Sequence, residues 1–313
     1  MRIGSLLLLA LFAFSGCDIF GGGGGGGGNT GGGTGSIDFT KGFTYVRKDD
    51  RNVYVVNDTA TDEPAVLTAG LSAYTPSFSP DKKTIVFVTG TGESSAIATV
   101  PSTGGAVRTL LSASAQQRDL KTPVFSPDGQ FIAFSYMNGS VSEVAVMNAD
   151  GTGVTPLGVN GSLSYASPSW STDGLNLYVA SGGATGLSQV EKIVISSNTV
   201  SNVVNTLGNE ARGVIGRIVL SPDGSTLVFD GEVGSGATRI FSLDVTSKVV
   251  TMIYSGETGS STSNESFPSW IDNGTVAFSS DSGGNDSLYS VTLPTSNSPN
   301  PLVGKAIEGW YSR

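Results

Sequence analysis

The chain has 313 residues, of which 44 are glycine and only 14% are charged. A net charge of −9 leaves no basic face for phosphate, which argues against a nucleic-acid partner and against electrostatic adhesion to anionic lipid. With no histidine and one cysteine, a Ser-His-Asp triad, a histidine general base, histidine-ligated metals and an intrachain disulfide are excluded, so no cofactor or metal is expected and only an all-oxygen cation site is conceivable.

The N-terminus reads as an address. Arg2 precedes an apolar run from Leu6 to Phe14, and Ser15-Gly16 precede Cys17. The run is too short to span a bilayer and has the layout of a secretory signal peptide. Its end resembles the bacterial lipobox, with Phe14 in place of the usual leucine, which implies a signal peptide over 1–16 and acylation of Cys17. Two or three acyl chains, at about 0.8 kcal/mol per buried methylene, make a lasting anchor. Residues 17–41 then form a tether: Gly21 to Gly28 is unbroken glycine, which cannot bury enough surface to fold. About 25 flexible residues reach roughly 25–30 Å. The expected location is the cell envelope, lipid-anchored on the periplasmic face of the inner or outer membrane or at the cell surface. Asp18 resembles the inner-membrane retention signal of enteric bacteria.

Residues 42–313 are a repeat. The clearest unit is Pro123-Val124-Phe125-Ser126-Pro127-Asp128-Gly129 followed by Phe131 to Ser135. It recurs from Pro76, Pro168 and Ile218, and in degenerate form from Pro268. The turn column reads Asp81, Asp128, Asp173, Asp223 and Asn273, so successive turns fall 47, 45, 50 and 50 residues apart. In such a turn proline presets φ, aspartate caps and glycine accepts positive φ. Each unit holds four short β segments. Runs such as Thr84 to Val88 are nearly all apolar, as in strands buried on both faces.

The Pro-x-Trp/Phe-Ser-Pro-Asp-Gly turn resembles the WD-like repeat of the TolB propeller family, over about residues 40–313. The resemblance implies an all-β, six-bladed β-propeller of four-stranded blades. Residues 42–69 supply only later strands of a blade, while Ile307 to Ser312 look like a lone first strand, with Trp310 expected in the column of Phe125 and Trp170. Pairing the two would close the ring and remove a free edge.

The same resemblance places ligands at the face where loops enter the first strands: 70–75, 112–122, 159–167, 208–217, 256–267 and 304–308. Those loops carry Tyr74, Arg118, Asp119, Lys121, Tyr165, Glu210, Arg212, Glu265 and Glu308, a mixture that suits protein or peptide recognition. The turn aspartates repeat in every blade on the opposite face and read as turn formers. The stretch Asp281 to Asp286 could ligate Ca²⁺ through oxygens, but it does not match EF-hand spacing and reads as a hairpin loop. The expected function is non-catalytic: a monomeric, membrane-anchored interaction module whose partner is an envelope protein or peptide. A glycan-binding propeller is the alternative, and a histidine-independent hydrolase or lyase comes after it. Prolyl oligopeptidases and oligogalacturonate lyases share the repeat, but the first use a Gly-x-Ser-x-Gly elbow with histidine and the second resemble histidine-dependent metal enzymes.

Overall fold

A computed structural model describes residues 37–59, 63–158, 163–183, 186–207, 211–234, 236–254, 263–294 and 299–312. The chain divides into units 1–32 and 33–313. The segment expected to be a signal peptide, Cys17 and the glycine run lie outside the described residues, as does Glu210.

The described residues form six four-stranded antiparallel sheets. Blade 1 is composite, with Ile307–Tyr311 innermost, followed by Gly42–Val46, Val53–Asn57 and Ala65–Val66. Blade 2 runs outward through Ala73–Phe78, Thr84–Thr89, Ala96–Pro101 and Arg108–Ser112. Blade 3 uses Arg118–Phe125, Phe131–Asn138, Val141–Asn148 and Thr155–Leu157. Blade 4 uses Ser164–Trp170, Asn176–Gly182, Gln189–Val194 and Thr199–Val204. Blade 5 uses Val214–Leu220, Thr226–Glu232, Thr238–Asp244 and Val250–Tyr254. Blade 6 uses Glu265–Trp270, Thr275–Ser280, Ser287–Thr292 and Asn300–Gly304. Each inner strand packs on that of the next blade, and Ile307–Tyr311 touches both Ala73–Phe78 and Glu265–Trp270, so the ring is closed.

The core is a set of seams rather than one centre. Six buried apolar clusters each lie between one pair of neighbouring blades. Second strands supply residues to both sides: in Thr84–Thr89, Phe87 faces the cluster shared with blade 1 and Val86 the cluster shared with blade 3. That double burial explains why these strands do not alternate with polar residues. Trp170 and Trp270 also tie inner strands together, since their indole N–H groups donate to the carbonyls of Val124 (3.1 Å) and Val219 (3.0 Å) in the preceding blades.

The Ser-Pro-Asp-Gly turns work as small hydrogen-bonded cages. Ser126 Oγ donates to Asp128 Oδ1 at 2.5 Å and accepts the Phe131 N–H at 2.9 Å, while Asp128 accepts the Gln130 N–H at 3.0 Å. The Ser79–Asp81, Ser171–Asp173 and Ser221–Asp223 pairs repeat this at 2.6, 2.5 and 2.6 Å. Gly129, Gly174 and Gly224 take φ of 72°, 72° and 77°, whereas blade 2 places Lys82 there at 63°. The blade 6 turn is one residue shorter. There Asp272 accepts the Gly274 N–H at 2.8 Å, and Asn273 Oδ1 instead accepts the Asp223 N–H at 3.1 Å across the seam.

Ring closure follows the expected pairing but shifts by one position. Phe43 faces Tyr311 and Thr44 faces Trp310. Ser312 Oγ accepts the Gly42 N–H at 2.8 Å, and its own N–H donates to the Gly42 carbonyl at 2.8 Å. Ser312 therefore stands where Ser126 does in blade 3. Tyr311, not Trp310, fills the column of Phe125 and Trp170, and Trp310 projects into the channel, where it touches three of the six clusters. Residues 37–41, expected at the end of the tether, pack on the ring: Phe39 stacks on Phe78 at 4.9 Å and Ile37 lies against the same cluster.

Candidate functional site

The inner strands run from a mouth face, where loops enter from the preceding blade, to a turn face, where the Ser-Pro-Asp-Gly turns lie. These strands begin well upstream of the motif. Residues 118–122, 164–167, 214–217 and 265–267, read from sequence as loop, are therefore strand. Alternation along a strand sends some of them inward.

That sorts the expected mouth residues. Arg118, Asp119 and Lys121 reach the mouth face together: Arg118 lies 3.7 Å from Glu93 and donates to the Gly139 carbonyl at 2.9 Å, and Lys121 lies 2.6 Å from Asp119. Although burial opposes it, Lys121 and the Gly92 N–H hold the Asp119 carboxyl below its ordinary range. Arg212 is exposed and lies 3.9 Å from Glu232. Tyr74 is half-buried, with the Arg51 guanidinium 4.7 Å from its ring centroid. Tyr165 and Glu265 are not surface groups, being 1% and 0% exposed. Tyr165 packs between blades 3 and 4, where burial and then the nearby Glu191 charge push its hydroxyl up to about 12. Glu265 pairs with buried Arg239 at 2.8 Å, and burial raises its carboxyl against that pull. Glu308 is 5% exposed and accepts from Arg51 Nη1 at 2.8 Å and from the Thr75 N–H at 2.5 Å.

Glu308 belongs to a belt that closes the channel at its waist. In five blades the inner strand carries a bulge, and Thr75, Thr122, Ser167, Phe267 and Glu308 hold φ between 46° and 57°. Two residues there oppose one on the second strand, as Thr75 and Pro76 oppose Phe87. Blade 5 differs: residues 215–217 all oppose Asp230, which occupies the column of Tyr45, Phe87, Phe134, Val179 and Phe278. Gly216 is required there, because a Cβ would sit 2.5 Å from Asp230 Oδ2. Asp230 accepts the Arg217 N–H at 2.9 Å, and burial pushes its carboxyl up to about 6 against the hydrogen bonds and charge of Arg217.

The Arg217 side chain crosses the channel. Nη1 donates to the Gly309 carbonyl at 3.0 Å and Nη2 to that of Glu308 at 3.3 Å, with the guanidinium 5.3 Å from the Phe267 ring and 5.1 Å from that of Trp310. Burial lowers Arg217 to about 10, opposed by the charges of Glu308 and Asp230, so it stays protonated at neutral pH. The gap left beside Arg217 and Trp310 is about 10 Å³, room for one water at most. The two ends of the channel are thus separate sites. Arg51, Arg217 and Asp230 were missed in the sequence. The available signal was a break in the columns, with Arg217 where Thr75 and Ser167 recur and Asp230 among apolar residues.

Beyond the waist the channel widens to a funnel of about 320 Å³ at the turn face. Trp310 lies at its inner end, Phe125, Trp170, Leu220 and Tyr311 line it, and Pro80, Pro127, Thr172 and Pro222 are exposed on its lip. No charged side chain lines it. Around it stand the turn carboxylates of Asp81, Asp128, Asp173, Asp223 and Asp272, with Asp58 and Asp150 in third-to-fourth-strand loops and Asp244 at the end of the third strand of blade 5. Lys41, Lys82, Lys83, Arg108, Lys192 and Lys248 are basic residues near them, Lys192 acting on Asp173. Of the stretch expected to be a hairpin loop, Asp281 accepts the Asn264 N–H at 2.6 Å and Asp286 pairs with Lys48 at 3.1 Å. Among the described residues no helix is long and apolar enough to cross a membrane.

A family model described as the TolB β-propeller domain matches residues 114–302. No curated protein matches the sequence. Among solved structures, TolB from Acinetobacter baumannii has a TM-score of 0.68 at 16% identity, covering 87% of this chain and 66% of that one. The chain therefore spans about two thirds of that protein's length. A putative TolB from Agrobacterium tumefaciens has a TM-score of 0.62 at 16% identity, over 86% of this chain and 91% of that one. An oligogalacturonate lyase solved in complex with manganese has a TM-score of 0.54 at 18% identity, over 81% and 74%. At these identities the likeness shows the fold alone.

Proposed function

This chain belongs to the TolB β-propeller domain family, and on that premise we propose that it is a non-catalytic module of the bacterial cell envelope that binds a protein or peptide at its mouth face. Cys17 and the glycine run anchor it and give it reach. The observation that carries the reading is the exposed charge on the mouth rim: Arg118 with Glu93 and Lys121 with Asp119 on blades 2 and 3, and Arg212 with Glu232 on blade 5. Exposed pairs contribute about 0–1 kcal/mol to stability, so exchanging them for a partner's charges costs little. Such groups also steer encounter. The closed waist makes the ligand one that docks over the channel rather than threading it. A chain without histidine lacks the commonest general acid–base group and the usual activator of a serine nucleophile.

The test immobilises the protein and its Arg118→Ala, Lys121→Ala and Arg212→Ala variants against detergent-solubilised envelope. A captured partner should bind about 30-fold more weakly to at least one variant, the loss of a hot-spot anchor worth about 2 kcal/mol. Asp128→Ala in the opposite turn should lower the melting temperature and leave capture intact. Capture that survives every mouth change, or turnover of an envelope substrate by the pure protein, overturns the reading. For the anchor, Cys17→Ser should move the protein from the detergent phase to the aqueous phase, and retention in the detergent phase removes Cys17 from that role.

A further inference from the structure

We propose that the turn-face funnel is a second docking site, which takes a basic segment of a partner protein carrying one apolar anchor residue. The inference is independent of the mouth-face reading, because Arg217 and Trp310 separate the two ends of the channel. Its first support is the cavity itself. A volume of about 320 Å³ with a wholly uncharged lining suits an apolar side chain and its flanking backbone. The serine hydroxyls at the lip are spent inside their turns on aspartate and backbone partners, so the wall offers apolar contact rather than polar capture.

The second support is where apolar surface is exposed. Five large apolar residues are exposed among the described residues. Leu302 lies on an outer strand, but Val107, Phe131, Leu175 and Val249 all stand on the turn face, with Leu175 64% and Val249 56% exposed. They stand singly, one on each of blades 2 to 5, and add apolar contact to this face without forming one continuous patch.

Charge then selects the occupant. The carboxylates around the funnel outnumber the lysines and arginines beside them, and hydrogen bonds from serine hydroxyls and backbone N–H groups keep Asp81, Asp128, Asp173 and Asp223 ionised well below neutral pH. Such a rim repels anionic lipid headgroups and complements a basic peptide. Residues 38–42 meet the ring at this same face, where Asn57 accepts the Thr40 N–H at 2.9 Å.

The experiment measures anisotropy of a labelled acetyl-Lys-Lys-Leu-Trp-Lys-Lys-amide peptide on the pure protein, with the Glu-for-Lys peptide beside it. Thr172→Arg places a cation on the lip at an exposed position of the blade 4 turn while keeping the Ser171 and Asp173 side chains that close its cage. The basic peptide should bind, weaken several-fold from 50 to 200 mM salt, and weaken at least about fivefold on Thr172→Arg. Arg212→Ala on the mouth face should leave it unchanged, and the acidic peptide should not bind. No binding of the basic peptide, equal binding of both peptides, indifference to Thr172→Arg, or loss with Arg212→Ala overturns the proposal. Sedimentation with phosphatidylcholine–phosphatidylglycerol vesicles that Thr172→Arg strengthens, without peptide binding, assigns the face to a membrane instead. Circular dichroism melts confirm that each variant is folded.

Discussion

Replacing Arg217 by methionine tests whether one side chain secures the seam of the ring. Arg217 reaches from blade 5 past Phe267 to the carbonyls of Glu308 and Gly309 in the closing strand. Each bond from a charged donor contributes about 1.5–3 kcal/mol, and the contact with two aromatic faces about 0.5–2 kcal/mol. Against this stands the cost of burying the guanidinium, which methionine removes. Methionine keeps the backbone N–H bond to Asp230 but removes a positive charge that favours its ionised form, and with the two charged bonds to the closing strand also lost the net cost is about 3–5 kcal/mol. For a domain of this size that is a fall in melting temperature of roughly 6–15 °C at pH 7.5, read by scanning calorimetry. Below pH 6 Asp230 takes up a proton, since burial already pushes it up to about 6, so the penalty should shrink at pH 5. Arg217→Lys keeps the charge without the fork and should fall between. A methionine variant that melts within about 2 °C of the parent at pH 7.5, or whose deficit is the same at both pH values, refutes the reasoning.

Deleting residues 307–313 removes Tyr311, 3% exposed, and bares the edge of Gly42–Val46; truncating such an aromatic alone costs roughly 3–5 kcal/mol, and a deletion that melts like the parent would rule out closure there. Asp230→Asn removes a carboxyl whose folded value, about 6, stands above its unfolded value. The folded parent therefore binds more protons between the two and loses stability as pH rises through that window, whereas the variant does not. Urea melts should show the variant gaining on the parent from pH 4.5 to 7.5, and a constant difference sinks the assignment. Lys82→Gly relieves a left-handed lysine at φ 63° and should raise stability by about 0.5–1 kcal/mol, with no gain counting against the strain.

The blades, their number and the composite seam were legible because each rests on a local rule repeated in sequence: Asp128 caps, Gly129 turns, and Phe131 to Phe134 run apolar. The site was less legible because it depends on where strands begin and on single departures from the repeat. Tyr165 and Glu265 look like loop residues until the inner strands are seen to start upstream of Pro168 and Pro268, which turns both side chains inward. Trp310 was assigned one column late because blade 1 has no Ser-Pro-Asp-Gly turn after Ser312 to fix the count. Arg217 and Asp230 lie 13 residues apart in sequence, and only the three-residue bulge in blade 5 makes them partners.

The pairing of residue 43 with residue 311 also dictates an order of events. Local blades can form as the chain becomes available, but Gly42–Val46 keeps one edge unpaired until Ile307–Tyr311 arrives. Contacts so distant in sequence make the final docking slow, and an open strand edge invites pairing with another chain in the interval. The ring is therefore most open to such pairing while blade 1 waits for Ile307–Tyr311 to dock, and the speed of that docking bears on yield separately from the stability of the closed ring.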